Sequence, residues 1–334
     1  MLISLCAAAL AAVGVWGFLS VSDLFAVRSI ERGREVDVLI LPGWTARDVA
    51  SAFAEAGAVP RSRDFARAMG RLGIDRRIRP GLYRVRAGRA ADVAMQMREA
   101  APQVVRALLL PGALFEDVAA ALERGDGAAA LERALGSAEN FPEGLRPLLP
   151  ETARDRIVFL APETYELDPG EESANAFVRV ASAKWWSRHG ERIPPGTTSA
   201  DLRADAVLAS IVQKEAKVDG ERPVIAGVFK NRLREDMPLQ SCATVVHAWR
   251  LRGVRIATVR YEDVKVDSPF NTYIHSGLPP EHIGIPSESS WNAVLAPAKT
   301  KMLFFVAKRD GSHVFSKTYR EHLAAQKKIR AGEL

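Results

Sequence analysis

A chain of 334 residues, 48% hydrophobic and 26% charged, is long enough for two domain-sized cores and too apolar to be disordered as a whole. Forty-six basic against 40 acidic residues leave a net charge of +6. That modest excess, spread along the chain, suits anionic surroundings such as lipid or a cell-wall polymer and does not specify nucleic acid. Two cysteines exclude a disulfide-stapled scaffold.

Residues 1–22 carry no charge, and Asp23 is the first charged side chain. As a helix they reach roughly 33 Å, enough for a hydrocarbon core of about 30 Å. A cleaved signal peptide opens on basic residues and ends on small ones. No basic residue precedes this span, and Phe18 and Leu19 stand where small residues are wanted. The expectation is an uncleaved single-pass anchor over 1–27. Arg28, Arg32 and Arg34 follow it, which on charge alone puts the body on the cytoplasmic side. Cys6 lies in the span and Cys242 far outside it, so Cys242 is expected as a free thiol.

Val36–Leu41 reads as a buried strand ended by Pro42-Gly43, and Thr45 caps a helix on which Val49 and Phe53 share a face. A second helix over Ser62–Leu72, a short strand at Gly81–Val85 and a helix over Ala91–Glu99 complete a βααβα module within 36–100. The pattern partly restarts: Leu108–Ala119 repeats the strand, Pro-Gly turn and helix of Leu39–Ala50, 69 positions on. Two copies make a half-repeat, not a solenoid. Residues 125–155, rich in Gly, Ala and Pro, read as a loosely structured connection, so 101–155 is expected as a linking segment. A larger domain over 156–334 opens on helices (Asn175–Arg188, Leu202–Lys217, Pro223–Arg234) and closes on β-like segments such as Met302–Ala307. The fold class expected is α+β.

The informative stretch is Ala204–Ala216, within the helix expected over Leu202–Lys217. At about 100° per residue, Ile211, Val212 and Ala204 gather around Leu208, while Gln213, Lys214 and Lys217 fall opposite. Glu215 falls about 20° from Leu208, in the middle of the apolar stripe. A carboxylate there is neutral, paired or functional. Desolvation raises its pKa and lets it hold a proton near neutral pH, as a general acid must. The other reading is a buried ion pair with Arg232, whose helix turns its stripe of Val224, Ile225, Val228 and Phe229 to the same side.

Two loops are crowded with hydrogen-bonding groups and a ring: Met237–Thr244 and Ser268–Pro280. They suit a sugar, with polar groups for hydroxyls and an aromatic ring for the apolar face, or they are well-satisfied surface turns. Trp185-Trp186 reads as helix-packing aromatics before a carbohydrate platform. The six histidines (189, 247, 275, 282, 313 and 322) show no metal spacing. No Walker loop, Rossmann glycine run or Gly-x-Ser-x-Gly elbow is present. No metal or cofactor is expected.

Four blocks together resemble the YceG-like (MltG-type) endolytic murein transglycosylases: Ser210–Ala216; Glu221–Leu233 with Met237–Gln240; Ser268–Tyr273 with Gly277–Pro280 and Ile285-Pro286; and Pro297–Thr300 with Leu303–Val306 and His313–Ser316. The likeness runs from about residue 36 to the end. Three positions differ from the family pattern: Cys242-Ala243 stand where it has Asp-Pro, His247 where it has tyrosine, and Ile157-Val158 where it has Glu-Gly. Its Pro-Asp-Thr-Tyr motif is here Pro162-Glu163-Thr164-Tyr165.

The resemblance implies a single-pass inner-membrane protein with its catalytic domain outside the cytoplasm, overriding the charge-based orientation. It implies that the 36–100 module is LysM-like. It also implies cleavage of the MurNAc–GlcNAc bond of nascent glycan strands to 1,6-anhydro ends, with Glu215 catalytic. Gln240, Thr244, Asn271, Tyr273, Glu163, Asn231 and Arg232 are implied to bind substrate. The partners implied are glycan strands, the membrane and peptidoglycan synthases, with no nucleic acid. Two other readings compete: a membrane-anchored glycan-binding scaffold without catalysis, and a hydrolase using two carboxylates.

Overall fold

The computed structural model describes residues 29–41, 43–100, 105–122, 127–167 and 173–334. The anchor expected over 1–27 lies outside them. Among the described residues no helix is long and apolar enough to cross a membrane. The chain divides into two compact units, one of residues up to Val105 with Glu166–Ser173, the other of Arg106–Tyr165 and Ala174–Leu334.

In the first unit, β1 (Glu35–Ile40) buries Val36, Val38 and Ile40 on one face and leaves Glu35 and Asp37 outside, the period-2 pattern of a half-buried strand. Thr45 caps α1 (Ala46–Glu55): its hydroxyl accepts the Asp48 N–H at 3.3 Å, and the Asp48 carboxylate accepts the Thr45 N–H at 2.8 Å, a capping box. Phe53 of α1 stacks on Phe65 of α2 (Ser62–Arg71), ring centres 4.7 Å apart. β2 (Gly81–Arg86) pairs antiparallel with β1, Val38 opposite Tyr83, and α3 (Ala90–Glu99) adds Val93, Ala94 and Met97 to the core.

The second unit follows β3 (Val105–Leu108) with α4 (Phe115–Ala121) and α5 (Gly127–Gly136). Here the expectation of a loosely structured connection over 125–155 is corrected. Leu131 and Leu135, one turn apart, are fully buried with Ala134, because an alanine-rich run is a good helix former and its two leucines share a face. Beyond α5, three 3₁₀ turns bury Phe141 and Phe159. The Arg156 guanidinium ties them by donating to the carbonyls of Leu135, Gly136 and Pro150.

β4 (Thr164–Leu167), which pairs with β3, precedes α6 (Ser173–His189). Trp185 of α6 packs with Phe159, His189 and Trp291 in one aromatic cluster. Trp186 lies over Gly144 and Gly190, where any β-carbon would meet the indole at 2.5–2.8 Å. The central element is α7 (Ser199–Glu215), capped by Thr198 and buried from Ala206 to Val212. It packs on α8 (Arg222–Arg234), α9 (Cys242–Leu251) and α10 (Glu288–Leu295). Gln213 of α7 accepts from the Ser287 N–H and the Ser290 hydroxyl, fixing the start of α10. On α8, Gly227 admits the 298–300 backbone: a β-carbon there would lie 2.6 Å from the Ala298 oxygen. The hairpin of β5 (Phe304–Ala307) and β6 (His313–Ser316) precedes α11 (Tyr319–Ala331). The architecture is mixed α+β, mostly helical, with small two-stranded sheets.

Candidate active site

Glu215 is the last residue of α7, half-buried. The turn that meets it is shaped by two non-glycine residues in the left-handed region, Asp236 (φ 54°) and Gln240 (φ 51°). Such a conformation persists only where the surroundings hold it. At Gln240 the hold is its N–H on the Thr272 carbonyl at 3.0 Å. The turn delivers Ser241, which precedes α9, to the carboxyl. The Ser241 hydroxyl donates to Glu215 Oε1, and the Ala243 N–H approaches the same oxygen at 3.4 Å. Oε1 therefore sits at the N-terminus of α9, where the helix dipole favours a negative group, while Oε2 has no protein partner among the described residues.

Burial pushes the Glu215 pKa above the usual carboxylate range. The Ser241 and Ala243 bonds, and attraction to His313, pull the other way without cancelling it. His313 is itself held by Glu221, whose Oε2 lies 2.7 Å from Nδ1 and whose Oε1 accepts the His313 N–H at 3.0 Å. The result is a carboxyl anchored through one oxygen, with its other oxygen unpartnered among the described residues and its protonated form favoured by burial. That is the requirement for a group that gives a proton and takes one back.

The ion pair with Arg232 that the helix stripes allowed is not formed. Arg232 is drawn to three backbone carbonyls, those of Leu303 at 2.6 Å, Pro238 at 3.1 Å and Leu239 at 3.0 Å. Asn231 donates to the Thr300 and Met302 carbonyls at 2.9 and 3.0 Å. Both are buried and spend these donors on backbone carbonyls. Thr244 and Asn271, also expected to touch substrate, are fully buried. The Asn271 amide donates to Val264 and Val266 carbonyls at 2.8 Å each and accepts the Tyr273 N–H at 3.0 Å. Thr244 Oγ1 donates to the Ser241 carbonyl at 2.8 Å and lies 2.9 Å from Thr272 Oγ1, which accepts the Ser241 N–H at 3.0 Å. These side chains satisfy loop backbone that would otherwise be buried unpaired. Their part is to fix Ser241 and Tyr273.

Of the residues expected to bind substrate, Gln240 is exposed and Tyr273 half-exposed. The Cys242 sulfur lies 3.2 Å from the Tyr273 hydroxyl, and this free thiol has its pKa raised by burial. Glu163 pairs with Lys184 and Arg188, and these cations lower its pKa. Among the described residues no group of three His, Cys, Asp or Glu is placed to hold a metal. Ser241, the Ala243 N–H and the Glu221–His313 pair were not singled out from sequence. A serine in a polar turn is too common a signal. Ala243 stands where the family pattern has proline, which has no N–H to give.

Ser241→Ala removes the donor that favours the ionised form, so the Glu215 pKa rises further. For any reaction in which Glu215 gives up a proton, we expect kcat to fall about tenfold, and the high-pH limb of the pH–rate profile to move to higher pH. An unmoved limb would show that Ser241 does not act through Glu215.

A family model described as the YceG-like family matches residues 38–328. A protein of Bacillus subtilis (strain 168) described as an endolytic murein transglycosylase is 33% identical over 207 residues, 57% of this chain and 55% of its own length. One of Streptococcus pneumoniae serotype 2 (strain D39) with the same description is 35% identical over 118 residues, 34% of this chain and 21% of its own. The chain thus spans about half or less of these curated relatives. The solved structure of a yceG-like protein from Listeria monocytogenes superposes with a TM-score of 0.53 at 23% identity, covering 88% of this chain and 100% of that one, a likeness of fold.

Proposed function

The chain belongs to the YceG-like family, and from that premise we propose that it is an endolytic lytic transglycosylase of peptidoglycan. The observation that carries the reading is the anchored, desolvated Glu215 with a free Oε2. The protonated Oε2 donates to the oxygen bridging MurNAc C1 and GlcNAc. As the C1–O bond breaks, the MurNAc C6 hydroxyl attacks C1, and Glu215, now ionised, accepts the hydroxyl proton. One bond is exchanged for another within the sugar, water is not consumed, and Glu215 ends protonated. Anchoring through Oε1 by Ser241 leaves the same oxygen for both proton transfers, and Gln240 and Tyr273 hold the glycan against it.

A hydrolase of the retaining or inverting type needs a second carboxyl about 5 to 10 Å from the first. Hydrolysis by such a pair would leave reducing ends in place of anhydro ends.

Residues 1–27 anchor the protein as a single span in the inner membrane, with the body outside the cytoplasm. The 36–100 module is LysM-like and binds glycan. Residues 101–155 join it to the catalytic domain over 156–334 as a packed segment carrying the second strand–helix copy. The substrate is the nascent strand, its cleavage ends elongation, and the synthases that extend it are the natural partners.

The test is to incubate purified protein with uncross-linked glycan strands and read the ends by mass spectrometry. Anhydro ends are expected. Reducing ends would replace this reading with hydrolysis, and retention of strands without any cleavage would replace it with a scaffold.

A further inference from the structure

The basic excess is not spread along the chain as its total suggests. Residues 29–105 hold 14 arginines and no lysine against nine carboxylates, so +5 of the net +6 lies in this one stretch. Within that stretch a cavity of about 700 Å³ opens between the turn after α2 and the end of α3. This is the size of a small-molecule site. Ile74, Tyr83 and Met97, all buried, form its floor, and Arg76, Arg77, Arg79 and Arg98 line it. Glu99 is the one carboxylate in the lining, and it lies 3.5 Å from Arg98. Arg76, Arg77 and Arg79 make no ion pair among the described residues.

The turn that carries them is pinned at both ends. Gly73, at φ +66°, lets the Ile74 N–H return to the Met69 carbonyl at 2.9 Å, and the Arg77 N–H closes on the Ile74 carbonyl at 2.8 Å. The Tyr83 hydroxyl holds the Arg79 carbonyl at 3.0 Å. Gathering like charges around one concave surface is unfavourable by itself and raises the local concentration of anions. Guanidinium forks bind phosphate bidentately, which lysine does not do. Three unpaired forks match a ligand of two or more negative charges better than an isolated carboxylate.

We propose that this cavity binds a phosphate- or diphosphate-bearing group, gripped by Arg76, Arg77 and Arg79, whose attached sugar or glycerol lies over Tyr83 and Met97. The inference does not rest on the transglycosylase reading. Two sources share the chemistry, a lipid headgroup and a soluble phosphate compound.

Full chain in an uncharged detergent is titrated calorimetrically with inorganic pyrophosphate. In parallel it is assayed against micelles doped with phosphatidylglycerol or, as control, phosphatidylcholine. R76Q/R77Q/R79Q is expected to weaken binding at least about tenfold. A matched variant, R32Q/R47Q/R67Q, removes the same charge outside the cavity and is expected to bind as wild type. Binding of pyrophosphate alone marks a soluble ligand, and binding of phosphatidylglycerol micelles marks a lipid headgroup. The proposal is overturned if neither probe binds, if the first variant binds like wild type, or if both variants lose affinity equally.

Discussion

Glu215→Gln is expected to cripple the proposed glycan cleavage while leaving the fold intact. The substitution is nearly isosteric, and a glutamine oxygen accepts from the Ser241 hydroxyl and the Ala243 N–H as Oε1 does. What disappears is the exchangeable proton at the position of Oε2, needed in both halves of the proposed turnover. General acid–base groups contribute typically 10² to 10⁴ in rate, so a fall of about 10³, or about 4 kcal/mol at the transition state, is the expected size. The melting temperature gives an independent readout. Because burial raises the Glu215 pKa, the folded state resists its ionisation. The native protein keeps this proton while the unfolded chain releases it, so stability falls as pH rises above the ordinary carboxylate value. Glutamine has no such penalty, so at pH 7 the variant melts at the wild-type temperature or above it. Cleavage within tenfold of wild type, in a variant that melts normally, would remove Glu215 from the chemistry.

The two protein-side halves of this site were unequally visible in the sequence. Glu215 stood out because a helix repeats every 3.6 residues and a carboxylate on the apolar stripe breaks the pattern. Its partners did not stand out, because they come from a turn 26 residues away in sequence whose geometry depends on Gln240 at positive φ and on Thr272, a contact no local pattern encodes. The same limit explains Asn271, Thr244, Asn231 and Arg232. Polar residue types in irregular loops are as suited to holding backbone as to holding sugar, and only burial separates the two. The βααβα module was legible because each of its elements carries a local signal: the Thr45 cap, the Val49–Phe53 face, the alternation of Val36, Val38 and Ile40. The segment over 125–155 was misread because glycine and proline at its turns concealed the Leu131–Leu135 helical face.

Acidification from pH 6.5 to 4.5 is expected to destabilise the fold before most of its ion pairs are affected. Burial lowers the pKa of His189 and of His247 from 6.5 to about 4 each, and it lowers that of His282 as well. His189 is enclosed by Trp185 and Trp291, its Nδ1 without a hydrogen-bond partner. His247 packs on Phe270, ring centres 4.7 Å apart. In this window the unfolded chain takes up protons that the folded protein refuses. Stability contributed by these rings is therefore full above pH 6.5 and is lost as pH falls toward their folded values. At about 1.4 kcal/mol per unit, each ring shifted to about 4 accounts for about 3 kcal/mol, a large part of a typical stability of about 5–15 kcal/mol. Glu215 acts in the opposite sense and offsets part of the loss, whereas carboxylates with lowered pKa, such as Asp48, Glu163 and Asp219, matter only below their ordinary values. Urea unfolding at half-unit steps from pH 7.5 to 4.5 should show the free energy falling with a slope set by more than one proton. His247→Gln should flatten that slope by about one proton. A stability constant across this range would mean that the two rings are charged in the folded protein, and the burial argument for them would fail.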